Sequence, residues 1–195
     1  YDREAEGFSA EDTLKKSVEM LRTALDFDPR VSVDSGVFNA VLAERVITNT
    51  NGIALEEKMS IFSWAIMGMA IDGEDVSNFD IQFSGTHFVK DVDVVTSASQ
   101  FAGNVVKSLG SKKCESFRGS AILSPNAVQE LFVEPIAFSV SSKNVQKGMS
   151  RFAGRIDGKV ASPILTVVDD GTFVDGLAAS SFDREGVSHN PMTLI

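Results

Sequence analysis

The residues Ser124-Pro-Asn-Ala-Val-Gln-Glu-Leu-Phe-Val-Glu-Pro-Ile-Ala-Phe138 combine a strong helix start with an internal proline. Ser124 can cap the helix with its hydroxyl, and a proline at the first helical position removes no intrahelical hydrogen bond. The strand-like run Ser120–Leu123 comes directly before, so we expect a strand that leads into a helix. Pro135 lacks a backbone N–H, and it should kink or end this helix near Leu131.

Patterns on both sides of this stretch indicate the class of fold. A capping box at Ser9–Asp12 starts a helix with one apolar face. Asn51–Gly52 predicts a hairpin turn, because both residues tolerate positive φ. The apolar face of this first helix carries Leu14, Val18, Leu21 and Leu25. A second helix is predicted at Val92–Leu109. Strands are predicted at Val31–Val33, Val37–Leu42, Arg45–Thr48, Ile53–Glu57, Met59–Ile71, Phe79–Phe83, Ile164–Val168 and Met192–Ile195. This order predicts an α+β protein with mixed or antiparallel sheets and a few helices.

The composition is that of a globular protein with an acidic surface. Its 195 residues carry a net charge of −9, which repels phosphate backbones, so we expect no direct nucleic-acid binding. The longest nearly apolar run, Ile61–Ile71, has about half of the ~20 residues that a membrane helix needs, so we expect no membrane contact. Cys114 is the single cysteine, and the absence of an intrachain disulfide favours a reducing cytoplasm.

A candidate domain boundary lies at Gly110–Glu115, where the second helix pattern ends. We expect residues 1–115 to be the end of an N-terminal α/β-type domain and residues 116–195 to be the start of a C-terminal β-rich domain. The chain begins at Tyr1 without a methionine and stops on the strand-like run Met192–Ile195. We therefore expect it to be a fragment of a longer chain, with portions of two domains.

Common catalytic and metal-binding motifs are missing from the sequence. It has no Gly-x-Ser-x-Gly elbow, no phosphate-binding loop and no Gly-x-Gly-x-x-Gly fingerprint. The thiol of Cys114 has no base in its sequence context, and His87 is interpreted as a structural histidine. The acidic run Asp72–Asp75 lacks the repeating carboxylates of a calcium loop and predicts a solvated turn.

Four separate segments, in the same order along the chain, resemble the TldD/PmbA family, which is also labelled modulator of DNA gyrase. The similarity is strongest between Gly119 and Ile195 and weaker around Arg45 to Glu57. The segments are Gly119–Leu131, Phe152–Ser162, Thr166–Gly171, and Phe182–Val187 followed by Met192–Ile195.

The resemblance implies a zinc metallopeptidase system built from two related subunits. In the catalytic TldD-type subunit the helix after the strand carries His-Glu-x-x-x-His, whose histidines bind zinc and whose glutamate activates water. In this sequence the motif falls on Val133–Phe138. Glu134 matches the family's catalytic glutamate, whereas Val133 and Phe138 replace the two metal-binding histidines. Neither replacement can donate an electron pair to zinc, so we expect Glu134 to be inert.

The resemblance thus favours the PmbA/TldE-type branch, which lacks the motif and pairs with a catalytic subunit. We expect no catalytic residue, no cofactor and no metal in this chain, and zinc in a TldD-type partner subunit. The partner is either that subunit or a second copy in a homodimer, and the substrates are unfolded or extended peptides. In an inert subunit we expect Val133, Ile136 and Phe138 to pack into a core.

Two other functions stay open from the sequence. The chain would be an active metallopeptidase if a divergent site, or a ligand beyond Ile195, restored metal binding, so whether this chain is an enzyme is left undecided. Alternatively, the gyrase label could be literal, and the chain would then be a regulatory protein that binds DNA gyrase.

Overall fold

A computed structural model describes all 195 residues of the chain. The backbone forms two compact units that are interleaved in sequence. Unit 1 contains Tyr1–Lys113 and Gly171–His189, and unit 2 contains Cys114–Asp170 and Asn190–Ile195. No helix has both the length and the apolar character needed to cross a membrane.

The fold is α+β with antiparallel strand pairing throughout, as the sequence predicts. The helices and strands of unit 1 are α1 (Ala10–Phe27), β1 (Val31–Thr48), β2 (Ala54–Asp72), β3 (Asp75–Val76), β4 (Asp80–Thr86) and α2 (Val94–Lys107), with 3₁₀ helices at Arg3–Gly7 and Val89–Asp91. Those of unit 2 are α3 (Pro125–Val128), a π-helical turn (Gln129–Val133), α4 (Glu134–Val140), α5 (Ser142–Gln146), β5 (Val168–Asp169) and β6 (Met192–Thr193).

Strands β1 and β2 form one long hairpin around the predicted Asn51–Gly52 turn. They have 18 and 19 residues, so the shorter strands expected on each side of the turn merge into two. The pairing register shifts at Asp34, which forms a β-bulge opposite Gly68. A Cβ atom on Gly68 would lie 2.2 Å from the carbonyl oxygen of Ser32, so only glycine fits there. Strand β4 pairs with the other edge of β2.

The core of unit 1 lies between this sheet and the two helices α1 and α2. Alternate residues of β2 point into it and are buried, among them Phe62, Trp64 and Ile66. The indole Nε1 of Trp64 donates a hydrogen bond to Ser97 Oγ of α2 at 2.9 Å. This bond matters because a buried indole N–H without a partner would be costly.

Helix α1 starts with the predicted capping box but packs through an unexpected face. Ser9 Oγ accepts from the Asp12 backbone N–H at 3.1 Å, and Asp12 Oδ2 accepts from the Ser9 N–H at 3.0 Å. The side chains that α1 buries are Met20 and Ala24. The apolar face identified in the sequence stays exposed; we call it the α1 stripe, and it consists of Leu14, Val18, Leu21 and Leu25.

Unit 2 has no apolar core of its own within these residues. Ser150 is the only residue of the unit that is buried. The predicted strand Ser120–Leu123 forms no ladder, and of Ile164–Val168 only the last residue enters β5, which pairs with β6. Strands need partners for their backbone groups, and the short β5–β6 ladder is the only pairing that unit 2 contains.

Candidate functional site

The helical stretch of residues 125–140 begins as the sequence predicts. Ser124 is the N-cap, and its Oγ accepts a hydrogen bond from the backbone N–H of Ala127 at 3.3 Å. Pro125 occupies the first turn, where its missing N–H removes no helical bond. The cap and the proline together fix where this helix starts.

A π-helical turn at Gln129–Val133 interrupts the α-helical geometry just before Pro135. Its signature is the backbone N–H of Glu134, which donates to the carbonyl oxygen of Gln129, five residues earlier. In a regular α-helix the ring of Pro135 would clash with the carbonyl of Leu131, and the wider turn relieves such a clash. Of the two predicted outcomes near Leu131, a kink or an end of the helix, the structure shows a distortion and no end, since helical structure continues through α4 to Val140.

Val133, Glu134 and Phe138, on which the resemblance places the zinc motif, do not form a buried cluster. Val133 is 50% exposed and Phe138 is 45% exposed, so the prediction that they pack into a core is wrong within this chain. Ile136 is half-buried. Glu134 is exposed, and its carboxylate makes no hydrogen bond or salt bridge with another side chain.

The residues present at this helix do not fit a zinc ion. An isopropyl group and a phenyl ring cannot donate an electron pair, which leaves Glu134 as the only possible ligand among the three motif positions. Nowhere in the chain do three or more His, Cys, Asp or Glu side chains converge in a way that could hold a metal. His87 and His189 belong to unit 1, and Cys114 is an exposed free thiol. We therefore derive no hydrolytic step from this helix.

Unit 2 also contains an open cavity of about 940 Å³, which the sequence interpretation did not identify. Its walls come from the end of α4, from α5, from the loop of residues 152–166 and from the last three residues of the chain. Apolar side chains such as Phe152 alternate there with the charged Arg155, Asp157 and Lys159. The cavity could accept an extended chain with mixed side chains. Gly154 and Asp157, which both have positive φ, shape the loop.

A polar cluster in unit 1 holds a part of the chain that is distant in sequence against the β1–β2 hairpin. Gly171–His189, which we call the docked segment, contacts Arg45 and Glu57, two residues paired across the hairpin. Arg45 Nη2 donates to Glu57 Oε2 at 2.8 Å, to the carbonyl oxygen of Phe182 at 2.6 Å and to Ser180 Oγ. The guanidinium also lies 4.3 Å from the ring centroid of Phe182. The hairpin register around Asn51–Gly52 is the sequence signal that could have paired these two charges.

Glu57 stays ionised in this cluster. Its burial raises the pKa of the carboxyl, but the hydrogen bonds from Ser181 and Ser180 and the positive charge of Arg45 outweigh that effect and lower the pKa below 4.5. Ser181 donates to Oε1 through its backbone N–H at 2.6 Å and through its hydroxyl at 2.9 Å. Arg45 Nε is buried without a partner, so this cluster is not completely satisfied.

His87 is structural, in agreement with the sequence interpretation. Its Nδ1 lies 2.6 Å from the carbonyl oxygen of Ser60 on β2, and its Nε2 lies 2.9 Å from the carbonyl oxygen of Gly176 in the docked segment. Both ring nitrogens are therefore engaged by the main chain, and His87 links β2 to the docked segment. Neither nitrogen is left to bind a metal.

A sequence profile and a curated relative connect the chain to known proteins. Residues 116–195 match the PmbA/TldA metallopeptidase C-terminal domain. Over 185 residues the chain is 30% identical to an uncharacterised protein of Methanocaldococcus jannaschii, and this match covers 95% of the chain and 42% of that protein.

Solved structures with the same fold include a proposed DNA gyrase modulator from Bacteroides thetaiotaomicron, with a TM-score of 0.87, 20% identity and coverage of 100% of this chain and 44% of that one. A proposed DNA gyrase modulator from Thermotoga maritima has a TM-score of 0.83 and 22% identity, with coverage of 97% and 44%. TldE from Thermococcus kodakarensis has a TM-score of 0.77 and 20% identity, with coverage of 96% and 42%. The chain spans less than half the length of each of these proteins. Residues 116–195 therefore resemble the C-terminal domain of the TldD/PmbA family, and the whole chain shares its fold with these solved structures.

Proposed function

We propose that the chain is part of a PmbA/TldE-type subunit, which is non-catalytic itself and acts within a zinc metallopeptidase complex on unfolded or extended peptides. The observation that carries the proposal is the helix of residues 125–140. It keeps the family's position and Glu134, but Val133 and Phe138 stand where two histidines would bind zinc. Because a lone carboxylate cannot hold zinc, the metal is assigned to a TldD-type partner subunit.

The exposure of this helix supports a role in contacts with other protein surface. Val133 and Phe138 present apolar side chains that nothing in unit 2 covers. An exposed apolar surface of this kind is typical of an interface. The partner is a TldD-type subunit or a second copy, and we assign no catalytic role to Glu134.

The cavity of unit 2 is the proposed place for peptide capture. Its rim includes Thr193 of β6, whose pairing with β5 is only two residues long. A strand with free backbone groups can pair with an extended peptide and bind it with little dependence on sequence. Arg155, Asp157 and Lys159 would contact the peptide's side chains and set any preference among substrates.

The remaining parts of the proposal concern organisation and location. Residues 1–115 would be the end of an N-terminal domain and residues 116–195 the start of the C-terminal domain, which the profile match to residues 116–195 supports. The complex would be cytoplasmic, and the single free Cys114 is compatible with a reducing compartment. The net charge of −9 disfavours direct binding to nucleic acid.

The test uses the full-length protein, purified alone and together with a TldD-type subunit. We expect no stoichiometric zinc and no hydrolysis of unfolded peptides by the protein alone, and both zinc and hydrolysis in the complex. Metal content is measured by atomic emission, and cleavage is measured by mass spectrometry of a casein digest. Stoichiometric zinc with hydrolysis by the protein alone would show an active metallopeptidase instead.

Two matched variants test the role assigned to Glu134. Glu134→Ala and Glu130→Ala remove exposed carboxylates from the same helix, so the complex should retain the same activity with either one. A loss confined to Glu134→Ala would overturn the inert role. Recovery of DNA gyrase by affinity purification without any TldD-type subunit would favour the regulatory function over the peptidase one.

A further inference from the structure

The open side of the α/β layer in unit 1 is a surface that the proposed function does not use. Strand β1 pairs with β2 along one edge, and its other edge has no strand partner over Val31–Thr48. An 18-residue edge with free N–H and C=O groups is a template for pairing with another strand. It contains no proline and only one bulge, so neither feature protects the edge from further pairing.

The α1 stripe lies on the same side of the layer as this edge. Met20 of α1 sits over β1, since its Cε is 3.3 Å from the position that a Cβ on Gly36 would take. Helix α2 lies over β2 and β4, where Ser97 bonds to Trp64 and Asn104 bonds to Asp80. Helix α1 therefore covers the edge strand, and α2 covers the strands behind it.

The direction of the stripe follows from the helical repeat. At about 100° per residue, its four side chains lie about 110° around α1 from Met20 and Ala24. They lie on the side of α1 away from Phe27. The Cζ atom of Phe27 faces α2, at 3.7 Å from the position that a Cβ on Gly103 would take. The stripe therefore lies on the side of α1 that faces away from α2, next to the unpaired edge of β1.

The spacing of the stripe predicts what packs on it. Its positions 14, 18, 21 and 25 alternate steps of four and three residues, which is the pattern of a helix–helix seam. We propose that a strand–helix segment docks here, with its strand paired to the free edge of β1 and its helix packed on the α1 stripe. We assign this segment to the part of the full-length polypeptide outside residues 1–195.

The length of the related proteins supports a segment of the same polypeptide as the occupant. The proteins that the chain matches are more than twice as long, which is enough to supply a strand and a helix for this surface.

Charge argues against a second copy on the stripe. Lys15, which pairs with Glu11 at 2.9 Å, and Arg22 line its solvent side, and in a two-fold pair that also joins the free edges of β1 the two α1 helices would run antiparallel. Lys15 would then face Arg22 of the second copy, which is a repulsive contact. A docking helix with Asp or Glu on that flank fits better.

Residue-resolved hydrogen exchange on the full-length protein tests the proposal. In an unpaired edge strand every second amide points to solvent, whereas a strand paired on both edges protects consecutive amides. We expect all amides of β1 to exchange at least about 100-fold more slowly than an unstructured chain, and we expect dilution of the protein to leave this unchanged. Fast exchange at alternate β1 positions would overturn the proposal. Protection that is lost on dilution would show a second copy instead.

A pair of variants with equal exposure tests the helix part. Leu21 on the stripe and Val95 on α2 are both 42% exposed in this chain. If the stripe is covered, Leu21→Glu should lower the Tm of the full-length protein by at least about 5 °C relative to Val95→Glu. Equal Tm values for the two variants would overturn the assignment. If Leu21→Glu does not fold, the exchange pattern of the unmodified protein decides the question.

Discussion

Replacing Arg45 by methionine should release the docked segment from the β1–β2 hairpin while leaving the rest of unit 1 folded. The guanidinium is a donor to three acceptors, and the change removes all of its bonds while keeping a long apolar side chain. The side chain is 31% exposed and that of Glu57 is 15% exposed, so solvent screens this pair less than a surface pair.

The expected cost follows from the bonds that cannot be remade. Ser180 Oγ lies 3.1 Å from Glu57 Oε2 and 2.7 Å from the carbonyl oxygen of Phe182, but its single proton can satisfy only one of them. One acceptor is therefore left without a donor, at a cost of about 1–3 kcal/mol. Loss of the cation–π contact with Phe182 adds about 0.5–1 kcal/mol. A total of about 1.5–4 kcal/mol corresponds to a roughly 10- to 700-fold increase in local opening.

The assay is hydrogen exchange in the docked segment, read at amides bonded within it. These include Ser180, which donates to Gly171 at 2.7 Å, and His189, which donates to Ser181 at 3.0 Å. The matched control is Lys58→Met, because Lys58 and Glu44 are the adjacent cross-strand pair, separated by 4.0 Å and each at least half exposed. That control should change exchange by less than about 3-fold. Equal exchange in the two variants, or equal acceleration throughout unit 1, would refute the reasoning.

Three further outcomes follow from unit 1. Ser97→Ala leaves the buried indole N–H of Trp64 without its acceptor, so the free energy of unfolding measured with urea should fall by about 1–3 kcal/mol; an unchanged value would mean that another acceptor is available. Gly68→Ala places a Cβ 2.2 Å from the carbonyl oxygen of Ser32 and should cost about 2–3 kcal/mol, measured by thermal denaturation. Because the pKa of Glu57 is lowered below 4.5, its stabilising contribution is complete above about pH 4.5 and is lost as the pH falls through the lowered value. NMR titration should thus show the docked segment opening in acid, and the acid-dependent part should be smaller in Glu57→Gln, where only Asp183, whose pKa is lowered by backbone hydrogen bonds from Val187 and Glu185, still contributes.

Local chemistry explains which elements of the fold could be predicted from the sequence. The capping box at Ser9–Asp12, the turn at Asn51–Gly52 and the cap at Ser124 each depend on residues within a few positions of one another. Their backbone preferences act before any tertiary contact forms. For that reason the helix starts and the hairpin lie where the sequence places them.

Strand lengths and the packed face of α1 could not be predicted in this way. The breaks expected within Val31–Thr48 are absent because β2 supplies one continuous ladder of partners. Ser120–Leu123 is no strand because unit 2 offers it no ladder. The α1 stripe looked like a core face, but the sheet packs against Met20 and Ala24 instead. Each of these outcomes depends on partners that are distant in sequence.

The sequence by itself determined the chemistry of the helix of residues 125–140. Valine and phenylalanine cannot bind zinc in any conformation, so the loss of both ligands at Val133 and Phe138 needs no structure to establish it. The tertiary structure decided that Pro135 is accommodated by a π-helical turn and that Arg45 binds a carbonyl 137 residues away at Phe182. Side-chain identity limits which atoms can form a bond, whereas packing decides which distant groups come within bonding distance.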